Sequence, residues 1–264
     1  MQRARGLEYE VTGEGEPVLL IHGSHIAESF LPLTRQAVLA DRYRLIRYHR
    51  RGFAGSARHA GPFSIEDQAK DALGVLEQLG LECAHVVGHS YGAVTAIQVA
   101  LSAPSAVHSL CLLEPPLMSA EVAAAFGEML APAVEAYGAG DGARAVDLFM
   151  TLVGGADWRN EVSAVLPGGV AQAERDAATF FEVELPALPS WTFDGESLSR
   201  LGKPVLFVIG AESGALFEAP RQLFEASVPQ AEPAVLPGLN HSLQMQDPKL
   251  VADALADFLA RQPF

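Results

Sequence analysis

The sequence predicts an α/β fold: a doubly wound, mostly parallel sheet with an inserted helical lid. Three observations predict it. Six short, almost wholly apolar runs, at residues 18–21, 45–48, 85–87, 110–113, 205–209 and 234–236, are bounded by Gly, Pro or charge, as strands buried on both faces are. Helical patterns fill the intervals, and strands alternating with helices require a parallel sheet with covered faces. The alternation lapses from Met118 to about Arg200, where Ala-rich helical periodicity with several Gly breaks replaces it, and resumes at Lys203-Pro204.

Residues 7–11 alternate apolar with polar and end at Gly13-Glu14-Gly15, which predicts one arm of a hairpin. Ser64 with Asp67 three residues on resembles a capping box, and Ile65, Ala69, Ala72, Leu73, Leu76 and Leu79 form one apolar stripe stopped by Gly80. Residues 91–103 are rich in small side chains and end at Pro104. Asp247-Pro248 opens a terminal helix with Val251, Leu255, Phe258 and Leu259 on one face. The expected organisation is a core of residues 1–117 and 201–264, with residues 118–200 as a helical lid. An insert that follows a strand end lies over the sheet edge where loops host sites.

Composition excludes partners. The 264 residues carry 32 acidic and 18 basic side chains, a net charge of −14, which disfavours a nucleic-acid backbone or an anionic membrane surface. Residues 118–200 alone hold 13 acidic and four basic side chains. Those carboxylates either form a solvated outer face or border a pocket mouth that repels anionic substrates. Cys83 and Cys111 sit in apolar stretches, too few for a disulfide framework, and read as core residues in a reducing compartment. The first ten residues hold no apolar secretion core, and no run approaches the ~20 apolar residues of a membrane span. A cytoplasmic protein acting on a small molecule is the expectation; oligomeric state has no signature.

The chemistry gathers at Gly88-His89-Ser90-Tyr91-Gly92. A predicted strand precedes this G-x-S-x-G pattern and a predicted helix follows it, the context of a nucleophile elbow. A tight strand-to-helix turn pushes the serine hydroxyl out of the fold, and the glycines let backbones pass closely. A serine needs a base. His241, reached from the last predicted strand through Pro237-Gly238-Leu239-Asn240, would arrive on the same sheet edge. His22, His49 and His89 flank strand ends and read as hydrogen-bonded structural residues. His59, His85 and His108 lie in a loop or at strand starts, and His25 is a candidate pocket residue. No His/Cys/Asp spacing resembles a metal site, and no cofactor is implied.

With these residues on the page, the chain resembles the α/β-hydrolase superfamily, in its serine-nucleophile, lid-containing branch, over nearly its whole length. The matching stretches are Leu20-Ile21-His22-Gly23-Ser24, residues 48–56 around Arg50-Arg51-Gly52, the elbow, and Gly238-Leu239-Asn240-His241. The resemblance implies that the backbone N–H groups of Ser24 and Tyr91 form an oxyanion hole, and that Arg50 and Arg51 are scaffold. The family usually sets an aspartate three residues after the Gly that ends the penultimate strand; here that place is Ser213. Two carboxylates could replace it: Glu114 at the end of strand 110–113, where some branches take their acid, or Glu212. Glu114 is preferred, because an isolated Glu closing a buried strand needs a partner.

The function expected is hydrolysis of a small, largely apolar carboxylic ester or related acyl compound through a Ser90 acyl-enzyme. The apolar demand follows from the aromatic and Met side chains of the insert, with Met118 a candidate pocket residue. The alternatives are cofactor-free perhydrolysis, C–C bond hydrolysis on the same site, or a non-catalytic ligand-binding member of the fold.

Overall fold

Continuous apolar runs form strands here because both of their faces are covered. In the computed structural model, which describes residues 1–58 and 61–264, eight strands make one sheet: β1 (Gln2–Ala4), β2 (Leu7–Thr12), β3 (Glu16–Ile21), β4 (Tyr43–Tyr48), β5 (Ala84–His89), β6 (Val107–Leu113), β7 (Val205–Gly210) and β8 (Glu232–Leu236). His59 lies outside the described residues. The spatial order is β1-β2-β4-β3-β5-β6-β7-β8. Every pair from β4 to β8 is parallel, while β1–β2 and β2–β4 are antiparallel.

Alternate residues of one strand feed opposite layers, as the two-residue period requires. Leu19 and Ile21 pack with the helices Ile65–Gln78 and Tyr91–Ser102, whereas Val18 and Leu20 pack with the C-terminal helix Pro248–Leu259. The capping box at Ser64 and Asp67 is present, and Asp247 caps the last helix through the Leu250 amide. No helix among the described residues is long and apolar enough to cross a membrane.

The predicted hairpin is corrected. β2 does not turn back onto β3; it pairs with β4, which lies between them, and its hairpin partner is β1. The Gly13-Glu14-Gly15 turn instead presses on the start of β4. A Cβ at Gly13, whose φ is +74°, would stand 2.3 Å from the Tyr43 carbonyl oxygen. Glycine is therefore required by close approach rather than by a hairpin.

Between β6 and β7 the chain builds only helices. The main ones are Ala120–Gly138, Gly142–Gly154, Trp158–Val165 and Gly169–Arg175, followed by a π-helical turn at Thr179–Glu184 and a last helix, Gly195–Arg200. Phe149, Trp158, Val162 and Phe180 form their own apolar cluster, while Leu188, Trp191 and Leu198 already belong to the cluster on the sheet.

Polar fastenings join this segment to the sheet. The buried Arg50 guanidinium donates Nε to the His22 carbonyl and Nη2 to the Gly23 carbonyl, both at 2.8 Å, and pairs with Gln68 and with Glu184 of the π-helical turn. Thr179 Oγ1 donates to the Gly52 carbonyl at 2.7 Å, and the Asp176 carboxylate accepts the Ala54 amide at 2.6 Å. Arg50 and Glu184 are 1% and 0% exposed as side chains, so neither charge can turn to water if the other is lost. Glu184→Leu is expected to lower unfolding free energy by about 3–5 kcal/mol. In urea titrations, the double variant with Arg50→Met is expected to be more stable than the sum of the single losses by about 2 kcal/mol.

Candidate active site

β5 ends at His89 and the helix Tyr91–Ser102 starts at once, so Ser90 absorbs the whole turn. It does so at φ 53° and ψ −125°, a conformation costly for a residue with a Cβ. The surroundings hold it there. The Ser90 amide donates to the Leu113 carbonyl at 2.8 Å, and the backbones cross so closely that a Cβ on Gly92 would stand 2.1 Å from the Ile21 carbonyl oxygen.

His241 lies on the loop after β8, fastened by Asn240, whose Nδ2 donates to the Gly154 carbonyl at 2.7 Å and whose Oδ1 accepts the Ser242 amide at 2.8 Å. His241 Nδ1 is 2.7 Å from Glu114 Oε2. Glu114 is buried, at φ 46°, and its other oxygen accepts the Gly210 amide at 2.7 Å and the Ser213 hydroxyl at 2.5 Å. A carboxylate oxygen accepts, so Nδ1 is the donor in this pair, and in the neutral ring that tautomer leaves Nε2 as an acceptor. Glu212, the second candidate acid, is exposed and makes no bond to His241; only its amide is engaged, to the Leu239 carbonyl.

Two rings confine the imidazole. Phe217 stacks on it at 4.1 Å between centroids, and His89 lies 4.7 Å away. His89 Nε2 donates to the His241 carbonyl at 2.8 Å while Nδ1 accepts the Gln244 amide at 3.0 Å. Those partners fix its tautomer. Burial, and then the nearby His241, hold His89 well below the ordinary histidine range, so it stays neutral.

Ser90 and His241 line the same cavity, without a direct hydrogen bond between them. Such contacts are often long before a substrate is bound. Ser24, Tyr91 and Met118 also line it. Of the insert's acidic side chains, only Glu184 is on the wall, and its Oε2 accepts the Ser24 hydroxyl at 2.6 Å. Glu121, Glu128, Glu135, Asp141 and Asp157 are exposed and off the cavity wall, as the solvated-face reading of the insert's acidity expects of them.

His25 is corrected as well. It lines no cavity at Ser90; its ring lies 4.6 Å from Phe180 and 4.9 Å from Phe149. Burial pushes it down to about 3, against a smaller opposing contribution from the Ala173 backbone. Sequence reasoning missed Glu184, Phe217 and the support that Ser213 gives Glu114. For Glu184 the available signal was a carboxylate inside Thr179-Phe180-Phe181-Glu182-Val183-Glu184, four residues after a Phe pair begins. A strained serine, an imidazole with a free lone pair and a carboxylate behind it are the parts nucleophilic catalysis needs.

Comparison with known proteins agrees with this architecture. A family model described as the alpha/beta hydrolase family matches residues 18–254. The provisionally named carbamate hydrolase RutD of Azorhizobium caulinodans is 39% identical over 107 residues, 40% of this chain and 40% of that protein. The chain thus aligns with well under half the length of that curated relative. Two solved structures share the fold over most of both chains. The enol-lactonase from Burkholderia xenovorans LB400 has a TM-score of 0.79 at 18% identity, covering 97% of this chain and 98% of its own. A thermophilic esterase from Thermogutta terrifontis has a TM-score of 0.78 at 20% identity, covering 98% and 94%. Matched by the family model over most of its length, with the elbow and the strand order in place, the chain belongs to the alpha/beta hydrolase family.

Proposed function

We propose that this protein hydrolyses a small, largely apolar carboxylic ester or related acyl compound through an acyl-enzyme on Ser90. The observation that carries the reading is the 2.7 Å bond between His241 and Glu114, made where the imidazole shares a cavity with the strained Ser90. In this mechanism His241 Nε2 takes the Ser90 proton as Oγ attacks the acyl carbon. It returns the proton to the leaving oxygen, then activates water to release the acid. Glu114 keeps the proton on Nδ1 and stabilises the imidazolium. The Ser24 and Tyr91 amides receive the developing oxyanion.

The helices of residues 118–200 act as a lid whose apolar side chains, Val122, Phe126 and Leu188 among them, receive the apolar half of the substrate. A carbamate hydrolase, an enol-lactonase and an esterase, as the relatives are named, all act on acyl compounds, which supports the class without selecting within it. A serine at position 90 fits acyl transfer.

A panel of chromogenic esters of increasing acyl length tests the reading. Ser90→Ala is expected to lower kcat at least about a thousand-fold and to abolish labelling by a serine-directed phosphonate; labelling that persists, or a wild type inert across the panel, refutes it. The acid is tested separately. Glu114→Gln is expected to lower kcat/KM at least about a hundred-fold, and Glu212→Gln to stay within a few-fold of wild type. A Glu114→Gln enzyme as active as wild type would remove Glu114 from the triad.

A further inference from the structure

The cavity at Ser90 has two arms that meet at Ser24, Ser90, Phe149, Val153 and His241. The larger is walled mostly by apolar side chains from the insert and from the helix Ala215–Ser227. The smaller is walled by Ile26, Ser29, His89, Met150, Ser242 and Met245. Half of these six are polar. Ser29 stands out among them: the residue is 2% exposed, and its hydroxyl has no hydrogen-bond partner among the described residues. A buried hydroxyl left unpaired costs free energy, and one beside a reacting centre is explained if a ligand completes it.

We propose that the small arm is the subsite for the alcohol half of the substrate, and that it selects a short leaving group carrying its own hydrogen-bonding group, bound by the Ser29 hydroxyl. The inference rests on the serine-hydrolase reading above and deepens it. During acylation the bond from Ser90 Oγ to the acyl carbon forms and the bond from that carbon to the alkoxy oxygen breaks. The proton that His241 took from Ser90 passes to the alkoxy oxygen, which leaves as an alcohol. That oxygen must therefore lie beside the imidazole. His241 is on the wall of both arms; the small arm is assigned to the leaving group because its own wall is half polar, while the large arm is walled mostly by apolar side chains. In deacylation water enters the vacated position and gives a proton to His241 as its oxygen bonds to the acyl carbon; the bond from that carbon to Ser90 Oγ then breaks, and His241 returns the proton to Oγ, releasing the acid. The apolar acyl chain, with nothing to offer Ser29, takes the large arm. A site built to hydrogen-bond a substrate group discriminates strongly against an analogue lacking it.

Two esters of one apolar acid, the n-propyl and the 2-hydroxyethyl, match in heavy-atom count and differ in a terminal hydroxyl. For the wild type, kcat/KM is expected to favour the 2-hydroxyethyl ester by about ten-fold. Ser29→Ala is expected to reduce that preference to about one, by slowing the 2-hydroxyethyl ester while sparing the propyl ester. Each preference is a ratio within one protein, so an inactive fraction cancels. Thermal unfolding supplies a second measurement: removing an unpaired hydroxyl should leave Tm unchanged or raise it, whereas a fall would assign Ser29 a structural bond and count against the proposal. Equal rates for the two wild-type reactions overturn the inference, as does a preference that survives in Ser29→Ala. Steep dependence on acid length with indifference to alcohol length overturns it too. If phosphonate still labels Ser90 in those cases, the acyl-transfer reading stands and only the subsite assignment is lost; if neither ester turns over and Ser90 is not labelled, both are lost.

Discussion

A carboxylate buried at the end of a central strand is tolerated only when its oxygens are used, since stranding the charge costs several kcal/mol. Glu114 meets that condition with three donors from three places: the Gly210 amide at the end of β7, the Ser213 hydroxyl in the turn beyond it, and His241 after β8. One side chain thereby ties together the C-terminal ends of three neighbouring strands. The serine at 213 then ceases to be a defect. A second carboxylate there would face Glu114 and repel it, and one of the two would have to stay protonated. A hydroxyl donates instead. With a carboxylate at the end of β6 and a hydroxyl in the turn after β7, the second group helps to hold the first.

The opposite side of the cavity is governed by a second buried charge. Glu184 lies against Ser24, where the proposed mechanism develops negative charge, and an unbalanced carboxylate there would oppose it. Arg50 supplies the balance and also holds the His22 and Gly23 carbonyls, so the loop carrying Ser24 is gripped from below by its own chain and from above by the insert. The π-helical turn at Thr179–Glu184 matters here. Phe180, Phe181 and Glu184 are all buried within its six residues, and such turns recur at functional sites. The insert is thus tied to the loop beneath it by the Arg50–Glu184 ion pair and the Ser24–Glu184 bond.

What could be read in the sequence was what short stretches determine. Strands covered on both faces must be apolar throughout, so β3 to β7 announce themselves, and the capping box at Ser64 and the elbow at Ser90 are complete within five residues. Glu114 was legible for a related reason: a charge ending an apolar run implies a partner. Features decided by distant pairing were not. β1 is an edge strand with Gln2 and Arg3 exposed, and it lacks the apolar run by which the others are recognised. The turn after β2 has hairpin chemistry, yet β4, arriving later in the chain, takes the neighbouring place. Arg50 and Glu184 are 134 residues apart, and nothing near either one names the other. His25 has the polarity of a site residue, but the aromatic side chains that enclose it come from helices over a hundred residues away.

The strain is distributed in a way that connects these observations. Among the described residues, five other than glycine have positive φ, and three of them, His25, Ser90 and Glu114, follow the ends of β3, β5 and β6. Each costs of the order of 1–3 kcal/mol, and each turns the chain sharply at the edge where the cavity lies. Among the described residues, the Ser29 hydroxyl beside this edge has no hydrogen-bond partner. The apolar layers on the two faces of the sheet bear the cost of the strain, since they contain none of these residues. Stability and chemistry are therefore separated by position along the strands: the middles bury apolar surface, and the C-terminal ends carry the strained turns and the polar groups of the cavity.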